Sequence, residues 1–368
     1  MAGHDIAVVG GGLIGAAVAW GARRAGADVI LLDEGDVAHR ASRGNFGLIW
    51  LQGKGLGAPP YMRLSLRAGS LWPAFADAVE AASGQGIAFR QRGGFHFCFD
   101  EAGIDARRRV VAETEAAGGD IRIEILDRAE VVRRVPQVGP EVAGASFSPS
   151  DAVVNPLKLL RALVAAFVAA GGVYRPSSPV AGIVPGPDGF ALSGDGFALS
   201  ARRVVLAAGL GNARLAPMVG LHAPVTPERG QILVTERLAP FFPYAGNSVQ
   251  QTDEGTVLVG SSHEHAGFSE ATDVGAGARL ARTAVRVFPG LASVRLVRQW
   301  AGLRVMSPDG RPIYEGSAAA PGAFLATCHS GVTLASLHGL ELGPAIAAGT
   351  LPAFAADFGS ARFHVPAA

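Results

Sequence analysis

The sequence predicts an α/β fold in which a parallel-sheet domain, assembled from distant pieces of the chain, is interrupted by an antiparallel-sheet domain. Three observations carry this expectation. The apolar run Ile6-Ala7-Val8-Val9 enters a glycine turn, Gly10-Gly11-Gly12, then an apolar helix, then a second run, Val29-Ile30-Leu31-Leu32, ending at Asp33. A further continuous apolar run, Val204-Val205-Leu206-Ala207-Ala208-Gly209, reads as a buried parallel strand feeding another turn at Gly211-Asn212. Between these pieces the apolar residues alternate, as in half-buried antiparallel strands.

The first segment holds a dinucleotide fingerprint in its full strand–turn–helix–strand context. Gly10 permits the tight turn, Gly12 lets the backbone approach a pyrophosphate, and Gly15 lets the helix pack closely on the strand. The helix opens at Leu13 and Ile14, so its amino end faces the phosphates with partial positive charge. Asp33 lies about 20 residues further on, where a carboxylate accepts from a ribose hydroxyl, and Glu34 follows it. The fingerprint leaves NAD and FAD open, while the acid argues against a 2′-phosphate.

A length of 368 residues suits two domains. Apolar residues form 49% and charged residues 17%, the balance of a globular protein. The net charge of +1 gives no reason to expect nucleic acid or an anionic membrane as partner. The most apolar helical stretch, Leu159 to Ala170, is too short to span a bilayer. No basic, cleavable leader precedes the first strand, and Cys98 and Cys328 make neither a disulfide framework nor a metal-ligand pattern. The expectation is a cytoplasmic protein without a metal site.

The remaining elements follow in order. A loop from Asp36 to Pro60 carries two unusual pieces, Ser42-Arg43-Gly44-Asn45-Phe46-Gly47 and Gln52-Gly53-Lys54-Gly55. Apolar spacing predicts a helix from Tyr61 to about Ala82. Phe95, Phe97 and Phe99 alternate with His96 and Cys98, which predicts a hairpin over Ile87–Phe99 around Arg92-Gly93-Gly94. A helix over Asp105–Ala117 precedes Pro136 and the segment Ala145–Val154. Asn155-Pro156 is a helix start, with an Asn cap and proline at the first position, for a helix reaching about Ala170.

Val173 to Ser200 reads as a small β-meander with turns at Gly186-Pro187-Asp188-Gly189 and Gly194-Asp195-Gly196. Alternating strands return from Val225 to about Gly260, with Arg229-Gly230-Gln231 at the head of one and Ser248 and Gln250 on one face of the next. A helix over Gly275–Phe288 leads to Trp300-Ala301-Gly302-Leu303-Arg304. The chain closes with a strand over Ala323–Thr327, a turn at Cys328-His329-Ser330-Gly331 and a helix from Val332 to about Ala348. This pattern assigns residues 1–84, 140–220 and 301–368 to a discontinuous Rossmann-type domain and 85–139 and 221–300 to the substrate domain. The active site is expected in the cleft between them.

Taken together, these segments resemble the D-amino-acid oxidase-like flavoprotein family, which includes glycine oxidase and many amino-acid dehydrogenases. The resemblance covers nearly the whole chain. It rests on the fingerprint, Ala41-Ser42-Arg43-Gly44-Asn45, Asn155-Pro156, Val204–Gly209 and Arg229-Gly230-Gln231. It also rests on Gly302-Leu303-Arg304 with Ser307-Pro308-Asp309-Gly310-Arg311-Pro312, and on His329-Ser330-Gly331. The stretches Ser42–Trp50, Gln52–Gly55 and Cys328–Ala335 look most like FAD-bearing subunits of bacterial dehydrogenases of opines, hydroxyproline or related secondary amino acids. The family usually has proline after the GLR segment, where this chain has Val305, and glycine where this chain has Cys328.

The resemblance implies non-covalent FAD, because relatives that tether the flavin through cysteine place it near the GLR segment and no cysteine stands there here. It implies that Arg304 grips the substrate carboxylate, since a planar guanidinium forks onto a carboxylate. His329 and Ser330, with Gly331, Val332 and Thr333, are expected at the flavin edge, where backbone N–H groups would stabilise negative charge. Ser42, Arg43, Gly44 and Asn45 are expected along the pyrophosphate and flavin face. Val180, Ala208, Gly209 and Gly302 complete the expected cofactor contacts, and Ser248, Gln250, His263 and His329 are expected near substrate.

The implied activity is oxidation of a Cα–N bond in an amino acid or secondary amine, with hydride moving to the flavin. A glycine- or sarcosine-like compound, a D-amino acid, hydroxyproline or an opine would each suit it. Two alternatives stand beside it: oxidation of a 2-hydroxy acid, or a FAD-holding subunit active only within an electron-transfer complex. A partner subunit or a homo-oligomer is compatible with both.

Overall fold

The computed structural model describes residues 3–35 and 41–363. Residues 36–40 of the expected Asp36–Pro60 loop lie outside the described residues. In chain order, β1 (Gly3–Val9) enters α1 (Leu13–Arg24) and β2 (Val29–Leu32) follows. Next come β3 (Leu48–Ile49), α2 (Pro59–Ser83), β4 (Gly94–Cys98), α3 (Glu101–Ala116), β5 (Glu124–Asp127) and α4 (Arg128–Arg134). The middle holds β6 (Gly144–Ser148), β7 (Ala152–Val153), α5 (Pro156–Ala169), β8 (Val173–Arg175), β9 (Val180–Gly186), β10 (Gly189–Gly194), β11 (Phe197–Leu206) and α6 (Asn212–Leu215). The last third holds β12 (Thr226–Arg237), β13 (Ala245–Gly246), β14 (Val249–Gln251), β15 (Thr256–Gly260), α7 (Val274–Val287), β16 (Leu296–Met306), β17 (Ile313–Gly316) and β18 (Ala323–Thr327).

The main sheet runs β17-β18-β11-β1-β2-β8, with β9 and β10 continuing from β11. Its central strands β18, β11, β1, β2 and β8 are parallel, and the core of β18, β11, β1 and β2 is buried on both faces as continuous apolar runs. On one face, α1, α2 and α5 pack Trp20, Trp72, Phe75 and Phe167 into one core. The other face packs against the β9–β10 ribbon and the segment around Leu215–Val225.

The fingerprint turn sits as its spacing requires. Gly10 has φ +108°, and a Cβ there would lie 2.5 Å from the Ala207 carbonyl oxygen. A Cβ on Gly15 would meet the Gly10 carbonyl oxygen at 1.8 Å, so only glycine lets α1 come this close to β1.

A four-stranded antiparallel sheet, β14-β15-β12-β16, forms the second layer. Alternation splits its residues between two faces. Leu233, Val257 and Val259 join Phe95, Phe97, Phe147, Phe242 and Phe288 in an aromatic core under a small sheet, β13-β4-β6-β5. Ile232, Val234 and Leu258 face the other way, with Phe46 and Trp300 against them.

Several expectations change. The Ile87–Phe99 hairpin does not form: β4 pairs with β6 and β13, while Arg90 bridges to Val153. The alternation of Phe95 and Phe97 is real, but their partners lie elsewhere in the chain. Strand β8 joins the main sheet rather than the meander, and the last meander strand and the buried strand at Val204 are one element. Strand β11 pairs antiparallel with β10 over Phe197–Ala201 and parallel with β1 up to Leu206.

Gly144–Ser148, placed by sequence in the nucleotide domain, pairs with β4 and β5 in the small sheet. Residues 301–306, also placed there, continue β16 against β12. The closing helix starts at Ala335 rather than Val332 and contains a π-helical stretch, His338–Leu342.

The Asn155 cap forms as read: its Oδ1 accepts from the N–H groups of Leu157 (3.1 Å) and Lys158 (3.2 Å). Asn155→Ala is expected to lower unfolding free energy by about 1 kcal/mol, and Asn155→Ser to retain most of it. Denaturant titration of the two variants checks this.

Candidate functional site

The glycine turn opens onto a groove of about 970 Å³ lined by Gly10, Gly12, Leu13, Ile14, Asp33 and Glu34. Ser42, Asn45, Val180, Ala208, Gly209 and Gly331 line it too, as do Thr327 and Cys328. Gly15 does not line the groove; it lies behind, in the contact between α1 and β1. The Leu13 N–H at the start of α1 donates to Ser42 Oγ at 3.0 Å, so a side chain from the 41–47 loop closes the helix end. Asp33 is buried, and its carboxylate accepts from the N–H groups of Gly11 (2.7 Å) and Gly35 (2.9 Å). It therefore shapes the turn, while Glu34 stands exposed on the groove wall.

A second cavity, about 1140 Å³, lies over the Ile232 face of the antiparallel sheet. Gly44, Asn45, Gly302, Arg304, His329, Ser330, Val332 and Thr333 line it, and so do Lys54, Asn247, Ser261 and His263. Ala41, Asn45 and His329 border both spaces, which places the two side by side. Gly44 and Gly302 meet back to back: a Cβ on Gly44 would lie 2.9 Å from Gly302 Cα. The loop after β2 thus touches β16 only because neither residue carries a side chain.

Arg304 is the best-held group in this cavity. It stands opposite Glu228 in the β12–β16 register, and its Nη1 donates to Glu228 Oε1 at 2.9 Å. Nη2 donates to Ser261 Oγ (2.6 Å) and to the Ser262 carbonyl (2.8 Å). Burial lowers the Arg304 pKa, and the Glu228 carboxylate opposes that shift. Burial pushes Glu228 up, but the His263 hydrogen bond and the Arg304 charge outweigh it and hold the carboxyl below its usual range. Asp309 pairs with Arg362 and Arg311 instead. Arg229 and Gln231 of the Arg-Gly-Gln motif both bind Glu264, which fixes the segment that carries Ser261 and Ser262.

The 328–331 turn contributes neutral groups. Burial, with the charges of Lys54 and Arg304, pushes the His329 imidazole down to about 3. Burial pushes the Cys328 thiol up to about 12. Ser330 Oγ and the Tyr61 hydroxyl share a 2.8 Å hydrogen bond, and burial drives the Tyr61 phenol well above its ordinary value.

Two residues in this cavity received no role from sequence. Asn247 Oδ1 is buried without a hydrogen-bond partner among the described residues. Lys54 reaches the cavity from a turn with Gly53 at φ +82° and Gly55 at φ +73°, conformations that favour glycine. The base of that turn is a buried network. Asp151 Oδ1 accepts from the Leu51 N–H (2.6 Å), and Asp151 Oδ2 accepts from Gln52 Nε2 (2.6 Å). Arg107 Nε donates to Ser146 Oγ, which donates to Gln52 Oε1. The unusual glycine pattern around Lys54 was the available signal; Asn247 offered none.

Three expected site residues fall elsewhere. Arg43 and Gln250 line a neighbouring cavity, with Arg90, Asn155 and Trp300, that meets the second one at Asn45 and Phe46. Gln250 Oε1, Arg90 Nε and Trp300 Nε1 are buried there without partners among the described residues. Ser248 lines none of these three cavities; its carbonyl accepts from the Gly260 N–H. Among the described residues no cluster of side chains suits a metal ion, and no helix is long and apolar enough to cross a membrane.

A family model described as FAD dependent oxidoreductase (DAO) matches residues 5–347. The chain is 44% identical over 364 residues to an opine oxidase subunit from Agrobacterium tumefaciens (strain Ach5), covering 98% of each. It is 42% identical over 361 residues to the opine oxidase subunit of the same name from Rhizobium meliloti, covering 98% of this chain and 97% of that one. The crystal structure of glycine oxidase from Geobacillus kaustophilus superposes with a TM-score of 0.91 at 25% identity, over 99% of this chain and 100% of the other.

The network under the Lys54 turn has a pH signature. Burial pushes the Asp151 carboxyl up to about 7, against the pull of its N–H donors. Between about pH 4 and 7 the folded protein holds a proton there that the unfolded chain releases, so this contribution to stability falls as pH rises. Asp151→Asn is expected to remove that slope. It also sets an NH₂ against the Gln52 amide, costing about 1–3 kcal/mol at pH 5. Denaturant unfolding of both proteins at pH 5 and pH 8 checks sign and size.

Proposed function

Since the chain belongs to the DAO family of FAD-dependent oxidoreductases, and is thus an FAD-dependent enzyme of amino acids and amines, we propose a finer reading. It oxidises the Cα–N bond of a secondary amino acid of the opine type, working with a partner subunit. The 44% identity to one subunit of an opine oxidase over nearly its whole length supports both parts. The observation that carries the reading is the adjacency of two spaces, a nucleotide groove and a charged cavity, sharing Ala41, Asn45 and His329.

The groove fits FAD. Thr327 Oγ1, on its wall, is buried without a partner among the described residues, a hydroxyl suited to a bound group. The amino end of α1 faces the groove beside Gly10 and Gly12, where backbone N–H groups would hold a pyrophosphate. Glu34, exposed on the groove wall, would accept from ribose hydroxyls, Asp33 would hold the turn behind it, and Val180 would lie against the adenine. Gly44, Asn45, Gly302 and the 329–333 turn would hold the ring. When bound, FAD supplies the two-electron acceptor that takes hydride from the carbon beside the amine, leaving an imine that water hydrolyses.

The protein's own part is positioning. Asn247 Oδ1 accepts from the substrate N–H. The walls of Phe46, Trp50 and Ile232 exclude water from the carbon that reacts. His329, neutral at physiological pH, packs at the junction without donating charge.

Anaerobic mixing with opines, glycine, sarcosine, proline, hydroxyproline and 2-hydroxy acids is expected to bleach the flavin with a secondary amino acid and not with the 2-hydroxy acids. Bleaching only by hydroxy acids would sink the reading. Acid precipitation is expected to release yellow cofactor, since burial keeps the Cys328 thiol protonated and unreactive. Thr327→Val is expected to weaken FAD binding about fivefold, the worth of one hydrogen bond, without a change in melting temperature of the apoprotein. Fluorescence titration with FAD measures it.

A further inference from the structure

Two cationic side chains line the cavity over the Ile232 face, and each has binding capacity left over. Arg304 Nη1 donates to Glu228 Oε1 (2.9 Å) and to the Arg229 carbonyl (3.3 Å). Its Nη2 donates to Ser261 Oγ (2.6 Å) and to the Ser262 carbonyl (2.8 Å). The Nε–H has no acceptor among the described residues, so the guanidinium is oriented without being saturated. It can serve as the clamp for one carboxylate, the role that the family resemblance gives it. The Lys54 ammonium has neither a hydrogen bond nor an ion pair among the described residues, and stands 5.9 Å from the centre of the Tyr61 ring.

The two cations are mounted on separate elements, each held in place. Arg304 stands on β16, fixed by the register with β12. Lys54 stands on a turn whose Leu51 and Gln52 are anchored on buried Asp151. A Cβ on Gly55 would strike the Met62 N at 2.4 Å, so that turn is pressed against α2. Between them lies His329: burial, then the charges of Lys54 and of Arg304, push its imidazole toward the neutral form. A ligand reaching from one cation to the other runs past His329, on the border of the cavity and the nucleotide groove.

An amino acid with a single carboxylate would satisfy Arg304 and leave the ammonium unpaired. An unpaired charge in a half-buried site is costly, and a second anionic group on the same ligand removes that cost. Burial lowers the Lys54 ammonium to about 8, which leaves it charged at pH 7.

We propose that Lys54 is a specificity-determining residue that binds a second carboxylate, on the far side of the amine from the carboxylate held by Arg304. The cavity thereby selects secondary amines that carry a carboxylate on each side of the nitrogen. The inference rests on the amine-oxidation reading, and it narrows the substrate class within it. Asn247 Oδ1, buried without a partner among the described residues, is the acceptor for the N–H between the two anchored ends.

Glutarate copies such a ligand with a methylene in place of the N–H, so it binds without being oxidised at an amine. Butyrate lacks the second carboxylate, and glutaric acid monoamide replaces it with a neutral amide of the same shape. Equilibrium binding of the three to the FAD-loaded protein at pH 7, by calorimetry and by the flavin spectrum, tests the proposal. Wild type is expected to bind glutarate at least about tenfold more tightly than either of the others, the worth of one charged contact. Lys54→Met is expected to lose that preference, and Lys54→Arg to keep most of it, because a guanidinium is also a permanent cation there. Lys54→Gln, polar and uncharged, gives the same comparison if Lys54→Met loses its FAD.

Equal affinity of wild type for glutarate and butyrate, or a glutarate preference that survives in Lys54→Met, would overturn the proposal. So would flavin bleaching by sarcosine and by its N-carboxymethyl counterpart with the same concentration dependence, an outcome that leaves the amine-oxidation reading standing. A glutarate preference that depends on Lys54, with no amine able to bleach the flavin, would instead refute the amine-oxidation reading and leave Lys54 as an anion site.

Discussion

The architecture depends on backbones that approach one another with no side chain between them. A Cβ on Gly15 would strike the Gly10 carbonyl, one on Gly10 would strike Ala207, and one on Gly44 would strike Gly302. The first two contacts seat α1 on β1 and open the nucleotide groove at the helix end. The third lets the loop after β2 lie against β16, which brings the groove beside the cavity over the antiparallel sheet. A methyl group at any of these points would push apart elements brought together from separate parts of the chain. Close-packed interiors accommodate such a push poorly.

Charge in the cavity is set by pairing more than by residue count. Arg304 and Glu228 face each other across β12 and β16 and cancel, and Arg229 with Glu264 does the same one step along. Each pair is partly buried, so its worth lies in fixing geometry as much as in stability. These pairs keep the 261–264 segment in place beside the cavity. What remains among the described residues that line it is an uncompensated ammonium, Lys54, presented by a turn whose own support lies in the separate Gln52–Asp151–Arg107 network.

Much of the fold was legible because its signals are local. The fingerprint from Ile6 to Asp33 and the Asn155 cap depend on neighbours within a few turns of chain, and both form. The hairpin at Ile87–Phe99 failed for a physical reason: alternation tells which face a residue takes, not which strand stands beside it. Strand β11 was split in two because its partners change from β10 to β1 midway, so its burial pattern changes along its length. At the site, Arg304 was found from its motif, but Glu228 was not, because that contact exists only in the β12–β16 register. Lys54 among glycines reads as a solvated loop until α2 and the closing turn are packed around it.

The same packing decides how the cavity responds to pH. Burial removes His329, Tyr61 and Cys328 from titration near neutrality, each by disfavouring its charged form. A cavity built this way holds no strong general base poised near pH 7 among those three. That suits oxidation at a carbon beside an amine, which asks the protein to hold the substrate still and dry while the cofactor takes the electrons. Substrate selection then falls to groups with unmet hydrogen-bonding or charge demand. Among the described residues that line this cavity, Asn247 Oδ1 and the Lys54 ammonium are an acceptor and a cation with such demand.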